Sequence, residues 1–67
     1  MAKITLEAAR RNCRLTQAQL AQKMGVSRQS VMDWERGKRE MKPAYLYMFC
    51  GITGFSEDDI LLPLITT

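Results

Sequence analysis

Arg28, Gln29, Met32, Asp33 and Arg36 crowd into one short polar stretch. At helical spacing they lie opposite Val31 and Trp34, an i, i+3 apolar pair that marks a buried side. An arginine can pair bidentately with guanine, and a glutamine with adenine. A short helix exposing both in its first turn fits the major groove of B-DNA. Directly after it comes a basic run, RGKREMK. Its exposed N–H groups, together with Arg36, Lys38, Arg39 and Lys42, suit phosphates flanking a groove. Catalytic chemistry has no comparable foothold. The chain has no histidine, hence no Cys–His pairing. It has no glycine-rich phosphate loop and no paired carboxylates in a recognisable pocket. Ser27 and Ser30 have no base beside them. The expectation is a protein with no enzyme activity, no cofactor, no metal and no apparent small-molecule effector.

Those side chains can project only if their helix is thrown clear of the core, and the residues before it provide for that. Thr16 is placed as an N-cap with Gln19 three residues later, the spacing of a capping box. Ala18, Leu20, Ala21 and Met24 then form one helical stripe. Gly25 stands where a helix end favours a residue that tolerates positive φ. Val26 can plug the corner, Ser27 is the next N-cap, and Gly37 ends the second helix. The two helices are thus predicted at about 17–24 and 28–36, joined by a tight turn.

Sixty-seven residues make one domain at most, of a size that is marginal for an independent fold. The hydrophobic content of 46% favours a globular chain over a disordered one. No apolar run approaches the roughly 20 residues of a membrane helix, and the N-terminus lacks the apolar middle of a signal peptide. A cytoplasmic protein, away from membranes, is expected. Cys13 and Cys50 fall in separate helical patterns and are read as free thiols, with Cys50 on a buried face. Charge is unevenly placed. Residues 1–42 carry +6 and residues 43–67 carry −3, so one part of the chain can face a polyanion that the other would repel.

The remaining segments read as support. Residues 4–14 form a first helix, with Thr5 as cap, Ile4 stapling the start, and Leu6, Ala9 and Cys13 on one face. Pro43 opens a fourth helix over about 43–52, where its missing N–H does no harm. That helix turns Leu46, Phe49 and Cys50 inward. Ser56 and Asp59 suggest a cap for a fifth helix over about 57–62, with acids in its first turn. The fold class is therefore all-α, a compact bundle of five short helices about a central helix-turn-helix. An apolar tail over 63–67 ends the chain, and such a tail commonly marks a contact surface.

The motif resembles the helix-turn-helix of the Xre and Cro-like phage-repressor family. The resemblance rests on Leu15-Thr16-Gln17, Leu20-Ala21, Gly25-Val26-Ser27, Val31, Trp34-Glu35 and Gly37-Lys38. It covers about 25 residues strongly, and a weaker match runs from about Leu6 to Leu61. It implies a lambda-repressor-like DNA-binding domain in which Arg28, Gln29 and Asp33 contact bases, with Met32 between them. Asp33 can accept from a cytosine amine, and Met32 can pack on a thymine methyl. It implies phosphate contacts from Gln17, at the anion-favouring start of a helix, and these are joined by Ser27 and Ser30. It also implies a structural salt bridge between Arg10 and Glu35. The family usually places a proline soon after Gly37-Lys38. Pro43 comes later here, so the loop is longer and the roles of Arg39 and Lys42 stay open. In this family the region after the fourth helix often forms a dimer interface, for which Phe55, Leu62, Leu64 and Ile65 are the candidates. The alternative is a tail folded onto its own domain.

The expected function is that of a Cro-type repressor in a bacterial cell or a phage-infected host. It would bind a palindromic operator on double-stranded DNA as a homodimer. A restriction–modification controller or an antitoxin of the same family is the alternative. A protein-interaction module is the rival from another class. A protein-docking helix should carry an apolar outer stripe, whereas this one offers Arg28, Gln29, Ser30, Asp33 and Arg36.

Overall fold

The computed structural model describes residues 3–65. In chain order the elements are β1 (Ile4–Thr5), α1 (Leu6–Asn12), α2 (Gln17–Met24), α3 (Arg28–Arg36), α4 (Pro43–Thr53), a single 3-10 turn (Glu57–Asp59) and β2 (Ile60–Leu61). Three of the four α-helices begin on a side-chain cap. The Ala8 N–H donates to Thr5 Oγ1 at 3.1 Å. At α2 the box is reciprocal: Gln19 N–H reaches Thr16 Oγ1 at 3.1 Å and Thr16 N–H reaches Gln19 Oε1 at 2.9 Å. Ser27 Oγ accepts from the Ser30 N–H at 3.2 Å. Each cap satisfies a backbone donor that the helix cannot. Gly25 lies at φ +70 and hands the chain to Val26, whose N–H returns to the Ala21 carbonyl at 3.0 Å. This left-handed residue lets α3 begin at once and leave α2 at a steep angle.

One core holds the elements. Leu6 and Ala9 of α1, Leu20, Ala21 and Met24 of α2, Val31 and Trp34 of α3, and Phe49 of α4 are buried together. Ala9 and Ala21 are small where α1 and α2 meet their neighbours, and Phe49 fills the centre. Trp34 stacks at a tilt against Tyr45, ring centroids 5.1 Å apart, a geometry that favours aromatic pairs. Cys13 and Cys50 are free and half-buried. Burial, followed by the Glu57 and Asp59 carboxylates, pushes the Cys50 thiol up from its ordinary value.

Two sequence expectations need correction. The first helix was expected over 4–14, but it spans only Leu6–Asn12. Ile4 and Thr5 are extended, and Arg14 turns to φ +59 to close the end. The fifth helix over 57–62 does not form. Ser56 Oγ donates to the Asp59 side chain at 3.0 Å instead of capping a backbone N–H, and the turn stops after three residues. A nucleus that short does not propagate without further partners. Ile60 and Leu61 then pair in parallel with Ile4 and Thr5, and this pairing buries Ile60. The fold is thus four α-helices with a small two-stranded element, among the described residues. Finally, Met41 lies inside the basic run yet is buried in the core.

Candidate nucleic-acid interface

Arg28 and Gln29 open α3 and both are exposed, while Met32 and Asp33 one turn on are half-buried. Val31 and Trp34 hold the opposite side in the core at 1% and 3% exposure. The helix is therefore fixed by one face and free along the other. Arg36 at its C-terminus, and Lys38, Arg39 and Lys42 in the following loop, are exposed. The loop is anchored at both ends. The Lys38 N–H donates to the Asp33 carbonyl at 2.9 Å, and Met41 plugs into the core. Met41 was missed because a lone apolar residue among charges carries no period.

A cleft of about 510 Å³ lies between α1, the start of α2 and α3, with Arg11, Gln17, Arg28 and Arg36 on its walls. It gathers three expected contact residues, Gln17, Arg28 and Arg36, with Arg11. Arg11 also pairs with Glu7 at 3.0 Å, both well exposed, a pairing that contributes little to stability.

Set into the wall of the cleft is a largely buried ionic cluster. Arg10 Nε donates to Glu35 Oε2 at 2.7 Å, with side-chain exposures of 8% and 4%. Arg10 Nη2 reaches Glu35 Oε1 at 3.4 Å, and Nη1 donates to the Leu15 carbonyl at 2.8 Å. The Gln17 amide donates to Glu35 Oε1 at 3.0 Å. This leaves Gln17 its second N–H and its carbonyl for an outside ligand. The cluster ties the start of α2 and the end of α3 to α1, so the exposed groups keep a fixed spacing.

On the outer face the side chains are linked to one another. Gln29 Nε2 donates to Asp33 Oδ1 at 2.9 Å. Arg39 bends back from the loop to donate to Ser30 Oγ at 3.0 Å, and its Nη2 lies 4.0 Å from Asp33 Oδ2. Ser27 and Ser30 hydroxyls are 3.1 Å apart. Arg39 thus turns toward α3, whereas Lys38 and Lys42 point out free of any ion pair among the described residues.

Of the candidate contact residues after α4, those in the tail lie beside the end of α3 and Arg39. Phe55 is half-buried against the core. Pro63 and Leu64 run over the end of α3, close enough that a methyl on Gly37 would overlap the Leu64 carbonyl. The backbone of the tail is therefore folded onto its own chain. Its side chains still face outward, with Leu62, Leu64 and Ile65 exposed and Leu64 at 87%. Residues 66 and 67 of the expected tail lie outside the described residues.

Among the described residues no group of His, Cys, Asp or Glu could hold a metal ion, and no helix is long and apolar enough to cross a membrane. Against known families, a helix-turn-helix model matches residues 6–60, most of the chain. No curated protein matches it.

Proposed function

The chain belongs to the Xre/Cro-like helix-turn-helix family of DNA-binding regulators, and from that premise we propose a sequence-specific transcriptional repressor of the Cro type. The observation that carries this reading is the split of α3. Val31 and Trp34 lock one face in the core, and Arg28 and Gln29 stand exposed at the N-terminal end of the other. Base readers of this geometry approach the major groove with the first turns of the helix. Arg28 would read guanine, Gln29 adenine, and Met32 a thymine methyl.

Phosphate contacts would come from both flanks of the groove. On one side stand the free Gln17 N–H and Arg28's neighbour in the cleft, Arg36. On the other stand Lys38 and Lys42, with Arg39, Ser30 and Ser27 linked together between them. These contacts set register without reading sequence. Charge supports the arrangement, since every basic residue lies at or before position 42.

The reading extends to a homodimer on a two-fold operator, with half-sites about one turn, ~34 Å, apart. Leu61, Leu62, Leu64 and Ile65 leave an apolar strip exposed near the chain's end, and such strips mark contact surfaces. Phe55 would buttress the strip from within. Occupancy of a promoter would then block polymerase in the cytoplasm of a bacterial cell or a phage-infected host.

Selection of bound duplexes from a random pool, at near-physiological salt, tests this function. A palindromic consensus is expected. A consensus without two-fold symmetry would remove the dimer. Enrichment with no consensus would replace the specific reader with a non-specific binder or a protein-partner module.

A further inference from the structure

Asp33 is an odd residue for a DNA-facing helix, because an acid there repels phosphates. Its surroundings give it another task. Gln29 and Asp33 are four apart, so their side chains meet on one face of α3. Gln29 Nε2 sits 2.9 Å from Asp33 Oδ1. A carboxylate only accepts hydrogen bonds, so the amide atom facing it must be the nitrogen. The Asp33 side chain is only 18% exposed, and Arg39 lies 4.0 Å from its second oxygen. Arg39 is itself steadied by its bond to Ser30. The carboxylate is thus held from behind and its charge is offset.

We propose, on the reading of α3 as the groove-facing helix, that Asp33 is a positioning residue that makes Gln29 an adenine reader. Fixing the amide has a definite consequence. One of the two Gln29 N–H groups is spent on Asp33. One N–H and the carbonyl oxygen remain. Adenine offers an acceptor at N7 next to a donor at N6, and it matches that pair. Guanine offers two acceptors, N7 and O6, which a free amide could meet with both N–H groups or after flipping. The held amide has one N–H left, and its oxygen would face O6. Asp33 therefore acts against guanine without touching a base.

The test runs the same duplex selection on the wild type, Gln29→Ala, Asp33→Ala and Asp33→Asn. Gln29→Ala identifies the column that Gln29 reads, and an adenine is expected there. Asp33→Ala should lower the adenine-over-guanine preference in that same column about tenfold, within the discrimination of one bidentate pair, and leave the other columns intact. Asp33→Asn keeps an oxygen acceptor and should restore most of the preference. Three results would overturn the inference: a change in a different column, as for direct reading of cytosine; an equal loss at every column, as for a structural role; or no change. A wild-type protein that selects no consensus would sink the DNA-reading account itself. A separate NMR measurement on the free protein isolates the inference from that account. The Gln29 side-chain amide should shift on Asp33→Ala, and an unmoved amide would exclude the hydrogen bond whatever the consensus.

Discussion

Replacing Arg10 by methionine keeps an apolar stem of similar length and removes the guanidinium. The Arg10 and Glu35 side chains are 8% and 4% exposed, so the pair is largely withdrawn from water. Glu35 would lose two donors, at 2.7 and 3.4 Å, and keep only the Gln17 amide. The Leu15 carbonyl would lose its side-chain partner as well. Breaking a buried pair from one side costs about 3–5 kcal/mol. At about 0.05–0.15 kcal/mol per residue, a chain of 67 residues has roughly 3–10 kcal/mol in total. Arg10→Met should therefore leave the protein at or near the edge of unfolding at 25 °C. Urea denaturation followed by the single tryptophan, Trp34, reads the loss directly, because Trp34 is buried and adjoins Glu35 on α3. Arg10→Met combined with Glu35→Leu should recover most of the stability, since no charge is then left buried. A cost below about 1 kcal/mol for Arg10→Met would match an exposed pair and refute the argument from burial.

Five other substitutions test separate parts of the account. Arg14 sits at φ +59, where a side chain costs about 1–2 kcal/mol; Arg14→Gly should raise the denaturation midpoint. Gly25 and Gly37 both lie at positive φ, but only Gly37 is roofed by the tail. Gly37→Ala should thus destabilise more than Gly25→Ala in thermal unfolding, and equal losses would mean that the tail does not grip α3. Lys38→Ala should weaken binding to all duplexes alike and reduce the salt slope by about one unit; an unchanged slope would exclude a phosphate role. Leu64→Asp should shift sedimentation toward monomer, and no shift would take the tail out of the interface.

The centre of the fold was legible because its signals are local. Thr16 with Gln19, Gly25, Ser27 and Gly37 each act within about a turn of their own position, and α2 and α3 begin and end where those residues place them. The outward face of α3 follows from Val31 and Trp34 by the same short-range geometry. The errors lie where a distant partner decides. Ile60 and Leu61 are extended because Ile4 and Thr5 pair with them across almost the whole chain, and no window of sequence holds both. Met41 is buried by packing that its charged neighbours disguise. The turn of Arg39 toward Ser30 depends on how the loop folds back. The link between Gln29 and Asp33 is different. It spans four positions on one helix, and the spacing alone would have suggested it.

The central claim is that the free face of α3, flanked by the start of α2 and the 36–42 loop, meets DNA. An NMR titration of the labelled protein with a selected duplex maps that contact residue by residue. The account predicts that the largest shifts fall on Gln17, Arg28, Gln29, Met32 and Lys38. Shifts centred on α4 or on Leu61, Leu62 and Leu64, with α3 unmoved, would contradict it.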